Sequence, residues 1–159
     1  MALYFFDASA IVKYFHNEPG TAWIKQLVDS RDTTSVARVN QICIADASLA
    51  EVPAAFAILE RGGRISRYVR DLMYDKFLKS ASNEFQSSQI TTEHAFAAGE
   101  LTQKYPLRGY DAIQLAIALD LNRDLKQQGV TMIFVSGDHA LLQAARAEGL
   151  AAENPFDHK

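Results

Sequence analysis

The sequence predicts an α/β fold, a three-layer sandwich built around a mostly parallel sheet. Three observations carry this. Short apolar runs alternate along the chain with longer segments of helical period. The first run, Leu3–Phe6, is apolar or aromatic at every position, as in strands covered on both faces. No repeat or low-complexity linker breaks the alternation, so the 159 residues read as one domain, 1–159.

Each element follows from local pattern. Residues 2–6 read as the first strand and Ser9–Phe15 as a short helix, stopped at Glu18-Pro19-Gly20. Thr21–Ser30 reads as a helix turning Trp23, Ile24, Leu27 and Val28 inward, and Val39–Ala45 as a second strand. Over Ser48–Arg61, Val52, Ala55, Phe56 and Leu59 keep the i, i+3, i+4, i+7 rule, and Gly62-Gly63 ends the helix. Pro53 fits this helix only if it falls in about the first turn. Ile65–Ser80 is a further amphipathic helix, Glu84–Ile90 a weak strand, and Thr92–Tyr105 a helix with Thr92 as its candidate cap. Asp111–Leu125 is apolar almost all round and belongs in the core. Val130–Val135 is a strand, His139–Glu148 a helix closed by Gly149, and Ala151–Ala152 one last short strand.

Composition bounds the function. Apolar residues make up 48% and charged residues 22%, ordinary for a globular chain. A chain of this size buries about 70% of the surface its unfolded form exposes and needs no staples. Cys43 is the only cysteine, which excludes an internal disulfide or a cysteine zinc cage and fits a reducing, cytoplasmic setting. The amino terminus carries no basic segment or small-residue cleavage site, and no run nears the ~18 apolar residues of a membrane span, so no membrane role is expected. The net charge of −3 argues against binding nucleic acid by bulk charge, unless the acids gather around a metal and reverse the local sign.

The acids are placed for that. Asp7 ends the first strand, where a carboxylate is costly unless paired. Asp138 follows the Val130–Val135 strand in VSGDHALL. Glu51, in SLAEVPAAF, and Asp111, in RGYDAIQLAIAL, open helices whose bodies are otherwise apolar. In a parallel sheet, ligands sit beyond the carboxyl ends of the strands. Each acid also has a capping reading: Ser48 with Glu51 as a capping box, Asp111 with Gln114 as a second cap, Asp138 before the last helix, and Asp7 before the first. Capping and ligation are compatible in one carboxylate. Taken together, four like charges at one edge require a counter-ion. Oxygen donors without His or Cys suit Mg²⁺ or Mn²⁺, and such a site can hydrolyse a phosphodiester. The four histidines show no metal spacing.

Four segments, FFDASAIVKYFHNEPG, SLAEVPAAFAILERG, LRGYDAIQLAIAL and FVSGDHALLQAARAEGLAAENP, together resemble the PIN-domain family of metal-dependent ribonucleases. Within that family they are similar to the VapC-type toxins of toxin–antitoxin pairs. The resemblance runs from Leu3 to about Pro155. It implies that Asp7, Glu51, Asp111 and Asp138 form a catalytic site for Mg²⁺ or Mn²⁺, supported by the hydroxyls of Ser9 and Ser136. Both serines also suit plain turn or cap roles. It further implies cleavage of an RNA substrate to a 5′-phosphate and a 3′-hydroxyl, a homodimer, and a cognate antitoxin protein.

Candidate RNA contacts are Lys13, Arg61, Arg64, Arg67 and Arg108. Arg64, Arg67 and Arg70 recur at i+3, as a phosphate-tracking face would require. Asp71 and Asp75 interrupt them, as on an ordinary solvated face. Tyr110 reads equally as a packing residue. Two rival functions follow from the same residues. A haloacid-dehalogenase-type phosphatase also places an aspartate after its first strand, but its chemistry needs D-x-D, and Ser9 holds the third position. A PIN-like module that binds RNA or protein without cutting would need none of the acids to act.

Overall fold

The structure is a computed structural model that describes residues 2–35 and 37–158; Met1, Val36 and Lys159, which fall inside the domain read over 1–159, lie outside it. Five strands, β1 (Ala2–Phe6), β2 (Asn40–Ala45), β3 (Gln86–Ser88), β4 (Met132–Val135) and β5 (Ala151–Glu153), form one sheet in the order β3-β2-β1-β4-β5. Every pairing is parallel. The weak strand read at 84–90 exists, shortened to three residues at an edge.

Among the described residues, seven helices connect the strands: α1 (Ala8–Phe15), α2 (Thr21–Asp29), α3 (Ser48–Arg61), α4 (Arg67–Asn83), α5 (Thr92–Lys104), α6 (Gly109–Gln127) and α7 (His139–Ala147). A 3₁₀ turn over Pro155–Asp157 ends the described chain. The strand period of two separates the layers. Leu3 and Phe5 of β1 point to a core shared with Leu115, Ile117 and Leu141. Phe6, with Ile42 and Ile44 of β2, points to the other core, with Phe56 and Phe77. Helices α5–α7 therefore cover one face and α1–α4 the other, which is why the central strands are apolar throughout.

Several boundaries correct the sequence reading. The cap of α5 is Thr91, not Thr92: its hydroxyl accepts from His94 N–H, and the His94 ring accepts in return from Thr91 N–H. The helix read from Ile65 begins at Arg67, because the Ser66 side chain accepts from Val69 N–H and fixes the cap there. Arg64 thus lies outside the helix and does not share a helical stripe with Arg67. Pro53 sits in the second turn of α3, not the first. The helix runs through it, although Pro53 has no N–H to give the Leu49 carbonyl.

Gly20 is required by a close approach. It has φ +90°, and a Cβ there would stand 2.5 Å from the Pro155 carbonyl oxygen. The 3₁₀ turn is pressed onto the start of α2 at this point, and Trp23 and His158 stack at 3.8 Å beside it.

Candidate active site

The sheet's parallel order sends every strand's carboxyl end, and the amino ends of the helices that cover it, to one edge. Register puts Phe6 of β1 opposite Val135 of β4, so Asp7 and Ser136 leave the sheet side by side. Asp7 caps α1: Oδ1 accepts from Ala10 N–H (2.8 Å) and from the Ser9 hydroxyl (2.7 Å). Its Oδ2 accepts from the Ser136 hydroxyl at 2.5 Å. Ser136 in turn accepts from Asp138 N–H (2.9 Å), and Ser9 from Gly137 N–H (2.7 Å). Two serine hydroxyls thus tie the end of β1 to the turn after β4. Asp138 caps α7 by accepting from Leu141 N–H.

The other two acids do not cap. Ser48 is the first residue of α3, its predecessor Ala47 makes no side-chain cap, and the Ser48–Glu51 capping box is absent. Arg108 precedes α6, so Asp111 lies within the first turn and the Asp111–Gln114 cap is also absent. Gln114 is fully buried and reaches the other way. Its Nε2 donates to Ser48 Oγ (3.0 Å) and to Glu51 Oε2 (2.6 Å). A cap-like spacing in the sequence is therefore a bridge between α6 and α3. Its Oε1 is buried with no protein partner, a polar atom without a donor.

Asp7, Glu51, Asp111 and Asp138, brought in by four different elements, line one cavity of about 360 Å³ together with Ser9, Arg108 and Gln114. A larger cavity of about 650 Å³ lies between α1, α2 and α4 and holds none of the four. Size does not mark the site; the convergence of carboxylates does.

The electrostatics are those of an under-compensated acidic site. Burial pushes the Asp7 carboxyl up to about 6, against the hydrogen bonds from Ser136, Ala10 and Ser9, and the charge of Asp111 adds to the rise. Glu51 is raised too, chiefly by burial and then by Asp111, with Gln114 and Arg108 opposing. Among the described residues, Arg108 is the one cation on the cavity wall; its Nε donates to Asp111 Oδ2 at 3.0 Å while its side chain stays 84% exposed. An ion pair so exposed is weakly held.

Among the described residues, no three His, Cys, Asp or Glu side chains are drawn together closely enough to hold a metal ion as they stand. The acids are occupied by Arg108, Gln114, the serines and helix N–H groups. The donor set nonetheless fits a hard divalent cation: oxygen only, four formal negative charges, and a buried carboxyl raised chiefly by its burial.

The candidate RNA contacts divide. Arg61, Arg64 and Arg67 are exposed. Arg70 is engaged by Asp71 (2.6 Å) and Glu60 (3.6 Å), so the supposed i+3 stripe is not a continuous free face. Lys13 is no surface cation: it is 2% exposed, paired with Glu18 at 2.9 Å, and its Nζ lies 3.6 Å from the Phe156 ring centroid. Tyr110 is 57% exposed, which overturns its packing role. Gln114 was read from the sequence only as a cap partner of Asp111, and Phe156 was not singled out. A lone buried amide three residues after Asp111 on an apolar helix was the available signal for the first.

Gln114 holds the Glu51 carboxylate by its hydrogen bond. Gln114→Leu keeps the volume but removes the donor, and is expected to lower activity about ten- to a hundredfold with the fold retained. Kinetics beside a thermal melt check this; unchanged activity in a folded variant would remove Gln114 from the site.

A three-layer parallel α/β domain with four acids at the carboxyl edge of its sheet is the class that fold and site define. The chain belongs to the PIN-domain family, whose model matches residues 4–147. Solved structures agree on the fold. FitAcB from Neisseria gonorrhoeae is 15% identical, with a TM-score of 0.61 over 98% of this chain and 99% of that one. VapC20 from Mycobacterium tuberculosis, described as a Sarcin-Ricin loop cleaving toxin, is 14% identical, with a TM-score of 0.59 over 93% and 96%. A toxin-antitoxin complex from Klebsiella pneumoniae is 17% identical, with a TM-score of 0.54 over 98% of each chain. Comparison with curated protein sequences gives no match.

Proposed function

We propose that this protein is a Mg²⁺- or Mn²⁺-dependent endoribonuclease, the toxin of a toxin–antitoxin pair. The observation that carries the reading is the cavity shared by Asp7, Glu51, Asp111 and Asp138. Those four carboxylates would hold the ion. When bound, the ion supplies charge neutralisation at the phosphodiester and a more acidic water. Ser9 and Ser136 fix the Asp7 oxygens, Gln114 fixes Glu51, and Arg108, once released from Asp111, is free to meet a phosphate. The toxin role rests on family membership and on folds shared with proteins described as a toxin and as a toxin-antitoxin complex. It brings with it a cognate antitoxin, a homodimer and a cytoplasmic setting. Among the described residues, no helix is long and apolar enough to cross a membrane.

The test is incubation of labelled RNA with the protein in Mn²⁺ or Mg²⁺ and then in EDTA. Endonucleolytic products bearing 5′-phosphates, lost on chelation, are expected. Cleavage that continues in EDTA would exclude the metal-dependent mechanism, and no cleavage of any RNA in either metal would leave the binding-module reading in its place.

A further inference from the structure

We infer that the acidic cavity is flanked by two stacking platforms, Phe156 and Tyr110, that receive unpaired bases on either side of the phosphate to be cut. The inference rests on the ribonuclease reading above and adds to it the two side chains that would take the bases of an unpaired strand. Two further cavities adjoin the acidic one. The first, about 380 Å³, shares Ser9, Val12, Ala55 and Asp138 with it and is walled by Phe156 and Lys13. The second, about 240 Å³, shares Glu51, Arg108 and Asp111 with it and is walled by Tyr110. The two shared sets have no residue in common, so the flanking cavities open from different walls of the site.

Each flank presents an exposed aromatic ring. Phe156 is 48% exposed and Tyr110 57% exposed, although large aromatics ordinarily bury themselves. Lys13 lies over the Phe156 ring but is buried and paired with Glu18, so the cation open to a phosphate is Arg108, two residues before Tyr110. Exposed rings on which bases stack, near a cation that meets the backbone, are the pattern by which proteins hold single-stranded nucleic acid with little regard to sequence. Phe156 is also set in advance. Its turn is pinned where Pro155 packs on Gly20 and His158 stacks on Trp23, so a base meeting the ring has little chain ordering to overcome. A regular duplex keeps its bases stacked on one another and cannot offer their faces to two separate rings.

The test uses a fluorescein-labelled, unstructured RNA nonamer and the full chain carrying Asp7→Asn, so that binding is read by anisotropy in Mg²⁺ without turnover. Phe156→Ala and Tyr110→Ala are each expected to weaken binding about tenfold, within the range of one stacked base. Phe156→Leu, which keeps an apolar cover on Lys13, is expected to weaken it similarly, and Phe156→Trp to restore it. In a scan of abasic nonamers, two positions should matter, one losing its effect in each alanine variant. A blunt duplex of the same sequence should bind more weakly than the single strand. Variants that bind like their parent, or abasic effects that survive in both, would overturn the inference, as would equal binding of duplex and single strand. Cleavage by the parent chain of the same nonamer separates the two ideas. Cleavage with platforms that do not matter sinks only the platforms; stacking without cleavage sinks the nuclease and leaves the platforms standing.

Discussion

Asp7→Asn is expected to abolish RNA cleavage, lowering it at least about a hundredfold, while making the metal-free protein more stable at pH 8. The two effects have one cause. Asp7 is 4% exposed and carries its charge where burial opposes it. Asparagine keeps the shape and the acceptor that meets Ser9 and Ala10, and loses the charge. The Ser136 hydroxyl must turn away from the new amide, which offsets roughly 1 kcal/mol of the gain. The net expectation is a variant about 1–2 kcal/mol more stable by urea unfolding in EDTA. A variant that cuts RNA like the parent would remove Asp7 from the catalytic set. One less stable than the parent at pH 8 would refute the account of a charge held at a cost.

The second expectation concerns pH. The folded Asp7 carboxyl titrates at about 6 against an ordinary value of 3.8. Below the lower value both folded and unfolded chains hold the proton, and nothing is gained or lost. Between the two values only the folded chain keeps it, so folding becomes steadily less favourable as pH rises; above about 6 the penalty is complete and flat. Integrated over that window the penalty is roughly 3 kcal/mol. Other carboxylates, Glu148 and Glu93 among them, are lowered and act in the opposite direction. The clean measurement is therefore the difference in unfolding free energy between the parent and Asp7→Asn across pH 4.5 to 7.5. The parent should start about level and end behind. Saturating Mg²⁺ should put it ahead at neutral pH, since an ion at a hundredfold excess over its Kd adds about 2.7 kcal/mol, and EDTA should reverse that. A flat difference across the window, or no response to either metal, would mean that Asp7 is not the strained group described.

Much of this was legible in the sequence. β1 and β4 announced themselves as unbroken apolar runs because both of their faces are covered, and Asp7 stood out because a buried run rarely ends on a bare acid. Asp138 was read correctly as a cap of α7. The failures share a physical origin. Ser48–Glu51 and Asp111–Gln114 have cap spacing, yet the decisive contact runs between helices, from Gln114 to Glu51, across 63 residues of chain. Local pattern carries no information about such a pairing. The basic stripe failed for a related reason, because Ser66 set the start of α4 and left Arg64 outside it. Phe156 was invisible because its exposure depends on a turn held by packing against Gly20, far away in sequence.

The four acids all stand in or just before the first turns of helices, α1, α3, α6 and α7, whose amino ends meet at the same edge. Those amino ends carry partial positive charge. With the carboxylates neutralised, the edge turns from a repellent into a receptor for anions. On the ribonuclease reading proposed above, variants neutralised at these acids are expected to trap RNA better than the parent, because the change that stops the cut also removes what pushes the strand away.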